Sequence, residues 1–92
     1  MKKEVIDGFS QIKVSNSRKK VLVALDGNVL LPSEIAKITS ISPSHTSKAL
    51  REMEDDNLIT CLNPEKKVGK LFVLTELGKE VLVCVKKYIK NE

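Results

Sequence analysis

The feature that most constrains the fold is a break between two helical segments near the middle of the chain. Apolar side chains recur at helical spacing over residues 32–39, and the pattern stops at the run Ser-Ile-Ser-Pro of residues 40–43. Ser42 is a good N-cap residue, and Pro43 suits the first helical position because its missing N–H needs no partner there. The sequence therefore predicts two helices, residues 32–39 and 43–56, joined by a tight turn.

Apolar spacing predicts which side chains these two helices bury. In the first helix the inward positions are predicted to be Ile35, Ala36 and Ile38. In the second helix the predicted buried stripe consists of Thr46, Ala49, Leu50 and Met53. The other side of the second helix is polar.

Further elements are predicted before and after this pair. An apolar segment at residues 18–25 follows candidate capping residues and ends at Asp26-Gly27, which is typical of a helix and its stop signal. Val29 and Leu30 favour one short strand. Residues 58–62 and 71–74 favour strands, and residues 63–70 carry turn residues and charge, so the three together predict a hairpin.

A final helix is predicted over residues 75–92, with Thr75 as its cap. One face is apolar and consists of Leu77, Val81, Cys84, Val85 and Tyr88. Leu82 and Ile89 widen this stripe beyond what one contact surface needs, which favours a partner helix from a second copy of the chain. We therefore expect a homodimer joined through this helix and through residues 1–14, which are predicted to be an N-terminal arm or helix.

Taken together, the elements predict a mainly α fold with a small β-hairpin, an α+β arrangement. A three-helix core is followed by a hairpin, the wing, and a C-terminal helix, which is the element order of a winged helix-turn-helix. In that fold the third core helix can enter the major groove of DNA.

The residues themselves resemble a known family. The run PSEIAKITSISPSHTSKALREMEDDNLI, followed by LNPEKKVGKLFVLTELGKEVL, resembles the small archaeal winged-helix regulators related to the MarR and ArsR families. The resemblance covers residues 32–82, and SRKKVL before it resembles their first helix. It implies a winged helix-turn-helix, a DNA ligand, recognition by the third helix and backbone contacts by the wing.

Two residues depart from that family pattern. Ser40 stands where glycine is usual in the turn between the helices, so a left-handed backbone there carries some strain. Thr46 stands where valine or isoleucine is usual. Threonine keeps the β-branched shape, and its hydroxyl can bond back to a carbonyl one turn earlier, so the packing role can survive.

Length and composition limit the function classes. Ninety-two residues, 41% hydrophobic and 30% charged, suffice for one core but not for a second domain or a large substrate cavity. The longest apolar run is too short to span a membrane, and the N-terminus is too polar for a secretory signal. We therefore expect one cytoplasmic domain, residues 1–92, with no membrane partner.

Charge is distributed unevenly along the chain. Residues 1–20 hold six basic and two acidic side chains, residues 21–78 hold six and eight, and residues 79–92 hold four and two. Basic ends around a mildly acidic middle are compatible with a polyanionic partner but do not establish one.

The predicted third helix has the polarity that a DNA-reading helix needs. Residues 40–51 contain no acid, whereas Glu52, Glu54, Asp55 and Asp56 cluster at the far end. The positive end of the helix dipole can thus approach phosphates, and Lys48 and Arg51 can reach a guanine edge or a phosphate. The candidate DNA-binding residues on this helix are Ser42, Ser44, His45, Ser47, Lys48 and Arg51. The alternative is a solvated face whose hydroxyls and acids follow capping preferences.

Lys66, Lys67 and Lys70 surround Gly69 in the predicted wing and suit a wing that lies along the DNA backbone. The alternative is that these lysines only keep a hairpin soluble. Arg18, Lys19 and Lys20 are further candidates for phosphate contacts, on which the sequence does not decide.

No enzyme is predicted. His45 is the only histidine, and no G-x-S-x-G, H-E-x-x-H or P-loop motif accompanies it. Cys61 and Cys84 are far apart and form no C-x-x-C, which favours buried free thiols over a zinc site or a disulfide framework. We expect no catalytic residue, metal or cofactor. The resemblance also marks two differences. The predicted third helix lacks the cysteines of ArsR metal sensors, and the chain is too short for the ligand pocket of longer MarR proteins.

Sequence-specific binding of double-stranded DNA by a transcriptional regulator is therefore the leading hypothesis. A winged-helix module for protein–protein interaction is the alternative, because this fold also serves as a scaffold. RNA binding is the least favoured hypothesis, because side chains cannot easily read the deep groove of A-form RNA and no stacking aromatics line the exposed face of the third helix.

Overall fold

The protein is described by a computed structural model that covers Lys3, Ile6 and residues 16–90. Residues 16–90 form helices α1 (Asn16–Ala24), α2 (Pro32–Thr39), α3 (Pro43–Asp55) and α4 (Glu76–Lys90). The strands are β1 (Ile59–Cys61) and β2 (Phe72–Leu74). This order confirms the predicted winged helix, a mainly helical fold with one antiparallel hairpin.

The predicted N-terminal arm or helix, residues 1–14, lies outside the described residues except for two positions. Lys3 and Ile6 are both helical. Ser15, one of the candidate capping residues before residues 18–25, also falls outside the described part, as does Phe9.

The core lies where α1, α2 and α3 meet and continues under the hairpin and α4. Val21 and Leu22 of α1, Ile35 of α2 and Met53 of α3 are fully buried. The predicted stripe of α3 is confirmed, because all four of its members are buried. Burial of one aliphatic side chain of this size contributes about 1.5–3 kcal/mol, so this contact fixes the orientation of α3.

The turn between α2 and α3 has the left-handed residue expected from the sequence. Ser40 has φ 59° and ψ 26°, and a residue with a Cβ pays a steric cost in that region. The Thr39 hydroxyl donates to the carbonyl of Ile35 at 2.7 Å and accepts from the N–H of Ile41 at 3.4 Å. The Thr46 hydroxyl lies 3.5 Å from the carbonyl of Ile41. These threonine contacts bridge the turn and offset its strain.

Two predictions about the region around α2 are wrong. Ile38 is 59% exposed rather than inward, whereas Ile35 and Thr39 are the buried residues of α2. With Val23 it lines a shallow groove of about 360 Å³ between α1 and α2. Val29 is exposed and forms no strand, whereas Leu30 makes an isolated bridge to Phe72.

The hairpin pairs β1 with β2 in antiparallel register, Ile59 opposite Leu74 and Cys61 opposite Phe72. Ile59, Phe72 and Leu74 are buried on the face that packs on the core. The predicted strands are confirmed in a shorter form, because the pairing of Leu62 N–H with the carbonyl of Leu71 ends the ladder and leaves residues 63–70 as the wing.

Helix α4 begins in close contact with the end of α3. Thr75 is the predicted cap, and its hydroxyl accepts from the N–H of Gly78 at 3.0 Å while donating to the carbonyl of Asn57 at 2.6 Å. The carbonyl of Leu58 accepts from the N–H of Thr75 at 3.1 Å. A Cβ built on Gly78 would lie 2.0 Å from that same carbonyl oxygen, so only glycine fits there.

The apolar stripe of α4 is largely covered by the same chain. Val81, Leu82 and Val85 are buried in the core, Leu77 and Cys84 are half-buried, and Val83 is exposed. The side chains of Tyr88 and Ile89 lie outside the described part. Cys61 and Cys84 form no disulfide with each other, and both are half-buried rather than buried. Among the described residues, no helix has the length and apolar character to cross a membrane.

The close approach of Gly78 to Leu58 yields a stability prediction. Gly78→Ala is expected to lower the free energy of unfolding by about 1–3 kcal/mol, because the added methyl group overlaps a backbone atom that a rotamer change cannot move. Chemical denaturation monitored by circular dichroism measures this. Glu80→Ala is the control, because this side chain is exposed on the same helix. A Gly78→Ala variant as stable as the parent would contradict the contact.

Candidate nucleic-acid interface

The middle of the exposed face of α3 is a row of three polar side chains. Ser44, Lys48 and Arg51 follow one another at spacings of four and three, so they lie one above the other along the helix. All three are exposed, on the side opposite the buried stripe. The row has two positive charges and no acid, which suits contact with phosphates or with the acceptor atoms of guanine.

The first turn of α3 is capped by Ser42. Its hydroxyl accepts from the backbone N–H of His45 at 3.3 Å and lies 2.7 Å from Nδ1 of the His45 ring. Ser42 is predicted to bind DNA, whereas in the structure its hydroxyl is bonded within its own helix. Ser42 thus orders the start of α3 and the ring of His45.

His45 and Ser47 lie on opposite flanks of the central row. His45 is followed four and seven positions later by Ala49 and Glu52, which face α1, so its ring lies on the α1 side. Ser47 is exposed on the other flank. The structure therefore spreads the predicted α3 residues over a surface wider than one row.

Arg18 of α1 binds the acids at the end of α3. Its guanidinium forms an ion pair with Glu52 and lies 3.8 Å from a carboxylate oxygen of Asp56. The Arg18 side chain is only 14% exposed and Glu52 is half-buried, so this ion pair lies between α1 and α3. Arg18 is thus used to join α1 to α3, which argues against the phosphate contact considered for it.

The wing is held in shape by Asn63. Its side-chain N–H donates to the carbonyl of Gly69 at 3.0 Å, and its Oδ1 accepts from the N–H of Leu71 at 2.8 Å. Gly69 has φ 78°, a left-handed conformation that glycine adopts without steric cost. One asparagine side chain thus bridges the two ends of the loop, a role that the sequence analysis missed although asparagine is a common turn residue.

The predicted wing lysines are spread along this loop. Lys66 and Lys67 are exposed, and Lys70 is half-buried at the end of the loop. A groove of about 390 Å³ separates the wing from the start of α2, and it is lined by Leu31, Pro32, Ser33 and residues 67–70. The wing therefore brings Lys67 and Lys70 beside the first turn of α2.

No group of three or more His, Cys, Asp and Glu side chains in the described ranges could hold a metal ion.

Known structures share this arrangement. A MepR mutant from S. aureus superposes with a TM-score of 0.76 at 21% identity, covering 95% of this chain and 66% of that one. The MarR family transcription regulator SP03579 gives 0.78 at 18% identity, covering 95% and 59%. A MarR mutant from E. coli, complexed with operator DNA, gives 0.71 at 21% identity, covering 91% and 61%.

The fold is that of MarR-family transcription regulators. No family model matches the sequence, and no curated protein matches it. The chain spans 59–66% of the length of the three MarR-fold structures above. The MarR part of the sequence resemblance is confirmed at the level of the fold, whereas the archaeal and ArsR-like parts stay predictions.

Proposed function

We propose that this chain binds double-stranded DNA with sequence specificity and regulates transcription in the cytoplasm. In this proposal α3 enters the major groove and the wing, residues 63–70, lies along the phosphate backbone. The observation that carries it is the acid-free exposed row Ser44, Lys48 and Arg51, with the basic wing on the same domain. The MarR-type fold supports it, because one of the similar structures, from E. coli, is a complex with operator DNA.

The proposed contact surface consists of the α3 residues and the wing lysines, with different roles. Arg51 and Lys48 supply charge and hydrogen-bond donors from the middle of α3. Ser44, His45 and Ser47 supply neutral polar groups around them, and Ser42 caps the helix. Lys66, Lys67 and Lys70 supply sequence-independent attraction to phosphates. The proposed domain spans residues 1–92.

The competing proposal is a protein-interaction module without DNA binding. It draws on the four acids at the end of α3, of which Glu54 and Asp55 stay exposed while Arg18 binds the other two. Equilibrium binding across a salt series separates the regulator from the interaction module. The ligands are the DNA upstream of the protein's own gene, a random DNA duplex and an RNA duplex. Preference for the upstream DNA with a steep salt dependence supports the regulator, and no duplex binding at low salt supports the module.

Charge reversal on α3 tests the proposed reading face. Lys48→Glu or Arg51→Glu is expected to weaken binding to the preferred duplex by about 1–3 kcal/mol, because each variant lacks a donor to the DNA. Lys37→Glu is the matched control, since it makes the same charge change on an exposed position of α2. Fluorescence anisotropy with labelled duplex measures the affinities. Equal affinity of both α3 variants and the parent would mean that another face meets the DNA.

Removal of the wing charges tests the backbone contact. Lys66→Ala combined with Lys67→Ala is expected to weaken binding to all duplexes alike. It is also expected to lower the slope of log K against log salt, by about 0.9 for each phosphate that is no longer neutralised by a lysine. A weakening confined to one DNA sequence would contradict the placement of the wing on the backbone.

We further propose that the chain forms a homodimer through α4 and the N-terminal segment, which would set two α3 helices about one turn of DNA apart. The stripe that predicted the dimer is largely covered by the chain's own core. The support that the described part of α4 still offers is Val83, which lies outside that stripe and is 53% exposed. Sedimentation equilibrium at tens of micromolar is expected to give the mass of a dimer. The mass of one chain, with and without DNA, would contradict it.

A further inference from the structure

The ring of His45 is held in one orientation at the start of α3. The Ser42 hydroxyl accepts the backbone N–H of His45, which leaves its own proton for another acceptor. Its oxygen lies 2.7 Å from Nδ1, a separation typical of an O–H donor and shorter than most N–H···O bonds. Nδ1 of the His45 ring can accept from this hydroxyl when the proton of the neutral ring resides on Nε2, the nitrogen that Ser42 does not contact.

The ring borders a small polar groove between α1 and α3. The groove has a volume of about 130 Å³ and is lined by Ser17, Arg18, His45, Lys48, Ala49 and Glu52. The charges of Arg18 and Glu52 offset each other in their ion pair. Lys48, which is exposed, and the ring of His45 both line this groove, and each can donate a hydrogen bond.

We propose that His45 and Lys48 together bind one phosphate of the DNA backbone at this groove, and that Ser42 is a positioning residue that sets the tautomer of His45. The inference rests on the proposed function. A phosphate diester presents only acceptor oxygens, so it suits a fixed N–H donor next to an ammonium group. His45 lies on the α1 flank of α3 rather than in its central row. When a helix is seated in the major groove, the DNA backbone passes along such a flank.

The tautomer is tested without DNA. Two-bond ¹H–¹⁵N couplings of the neutral His45 ring, at mildly alkaline pH, are expected to show the Nε2–H form. Ser42→Thr is expected to keep that form, because it retains the hydroxyl. Ser42→Gly is expected to give a mixture of tautomers, and glycine is tolerated as a cap, so the helix persists. An Nδ1–H form in the parent, or no change in Ser42→Gly, would overturn the positioning role of Ser42.

The phosphate contact is tested by affinity for a preferred and a random duplex. Ser42→Gly and His45→Ala are each expected to lower the affinity for both duplexes by the same factor, about fivefold, because each removes or misaligns one hydrogen bond. Neither variant is expected to change the salt slope, because neither substitution removes a formal charge when the His45 ring is neutral. Lys48→Gln is expected to lower the affinity for both duplexes and to lower the slope of log K against log salt by about 0.9. Ser42→Thr is expected to bind like the parent.

Two results would overturn the phosphate contact in distinguishable ways. If His45→Ala weakens binding to the preferred duplex alone, His45 reads a base and the phosphate assignment is wrong. If the parent has the Nε2–H tautomer but binds no duplex at low salt, the proposed function itself is wrong, and the phosphate contact is wrong with it.

Discussion

The packing of α3 on α1 and α2 determines what the rest of the surface can do. Thr46, Ala49, Leu50 and Met53 are all buried, and adjacent positions on a helix differ by about 100° in direction. Rotation of α3 by one residue would therefore expose part of this stripe and bury charged side chains. Because both changes are unfavourable, the row Ser44, Lys48 and Arg51 is held on the outer side.

A second constraint fixes the wing relative to that helix. The N–H of Leu58 donates to the carbonyl of Met53 in α3, and the carbonyl of Leu58 accepts from the N–H of Thr75. Gly78 packs directly on that same carbonyl. The hairpin and α4 thus begin at one junction, within a few residues of the acidic end of α3. Asn63 then closes the loop beyond the strands. The wing lysines are consequently positioned by backbone geometry rather than by contacts of their own charged groups.

Local signals in the sequence predicted most of the fold. Ser42 and Pro43 marked the start of α3 because capping chemistry acts within a few residues, and the stripe of α3 followed from a periodicity sustained over its whole length. Ile38 was misplaced because α2 has only eight residues, too few to define an inward direction at its last turn. Val29 was misplaced because β propensity does not reveal whether a pairing partner is in reach.

The candidate site was less predictable because its parts interact across the chain. Arg18 and Glu52 are 34 residues apart, and nothing local to either marks an ion pair rather than a phosphate contact. The need for glycine at position 78 depends on the carbonyl of Leu58, twenty residues earlier. By contrast, the bond between Ser42 and His45 spans three positions, a spacing at which helical side chains are known to meet.

The proposed function depends on the outer face of α3 and the wing acting as one DNA-binding surface. A titration of ¹⁵N-labelled protein with duplex DNA, followed by the amide chemical shifts of each residue, tests this directly. We expect the largest changes in residues 42–51 and 63–70, with small changes in the exposed part of α4. Changes centred on α4 or on the groove between α1 and α2, with α3 unaffected, would contradict it.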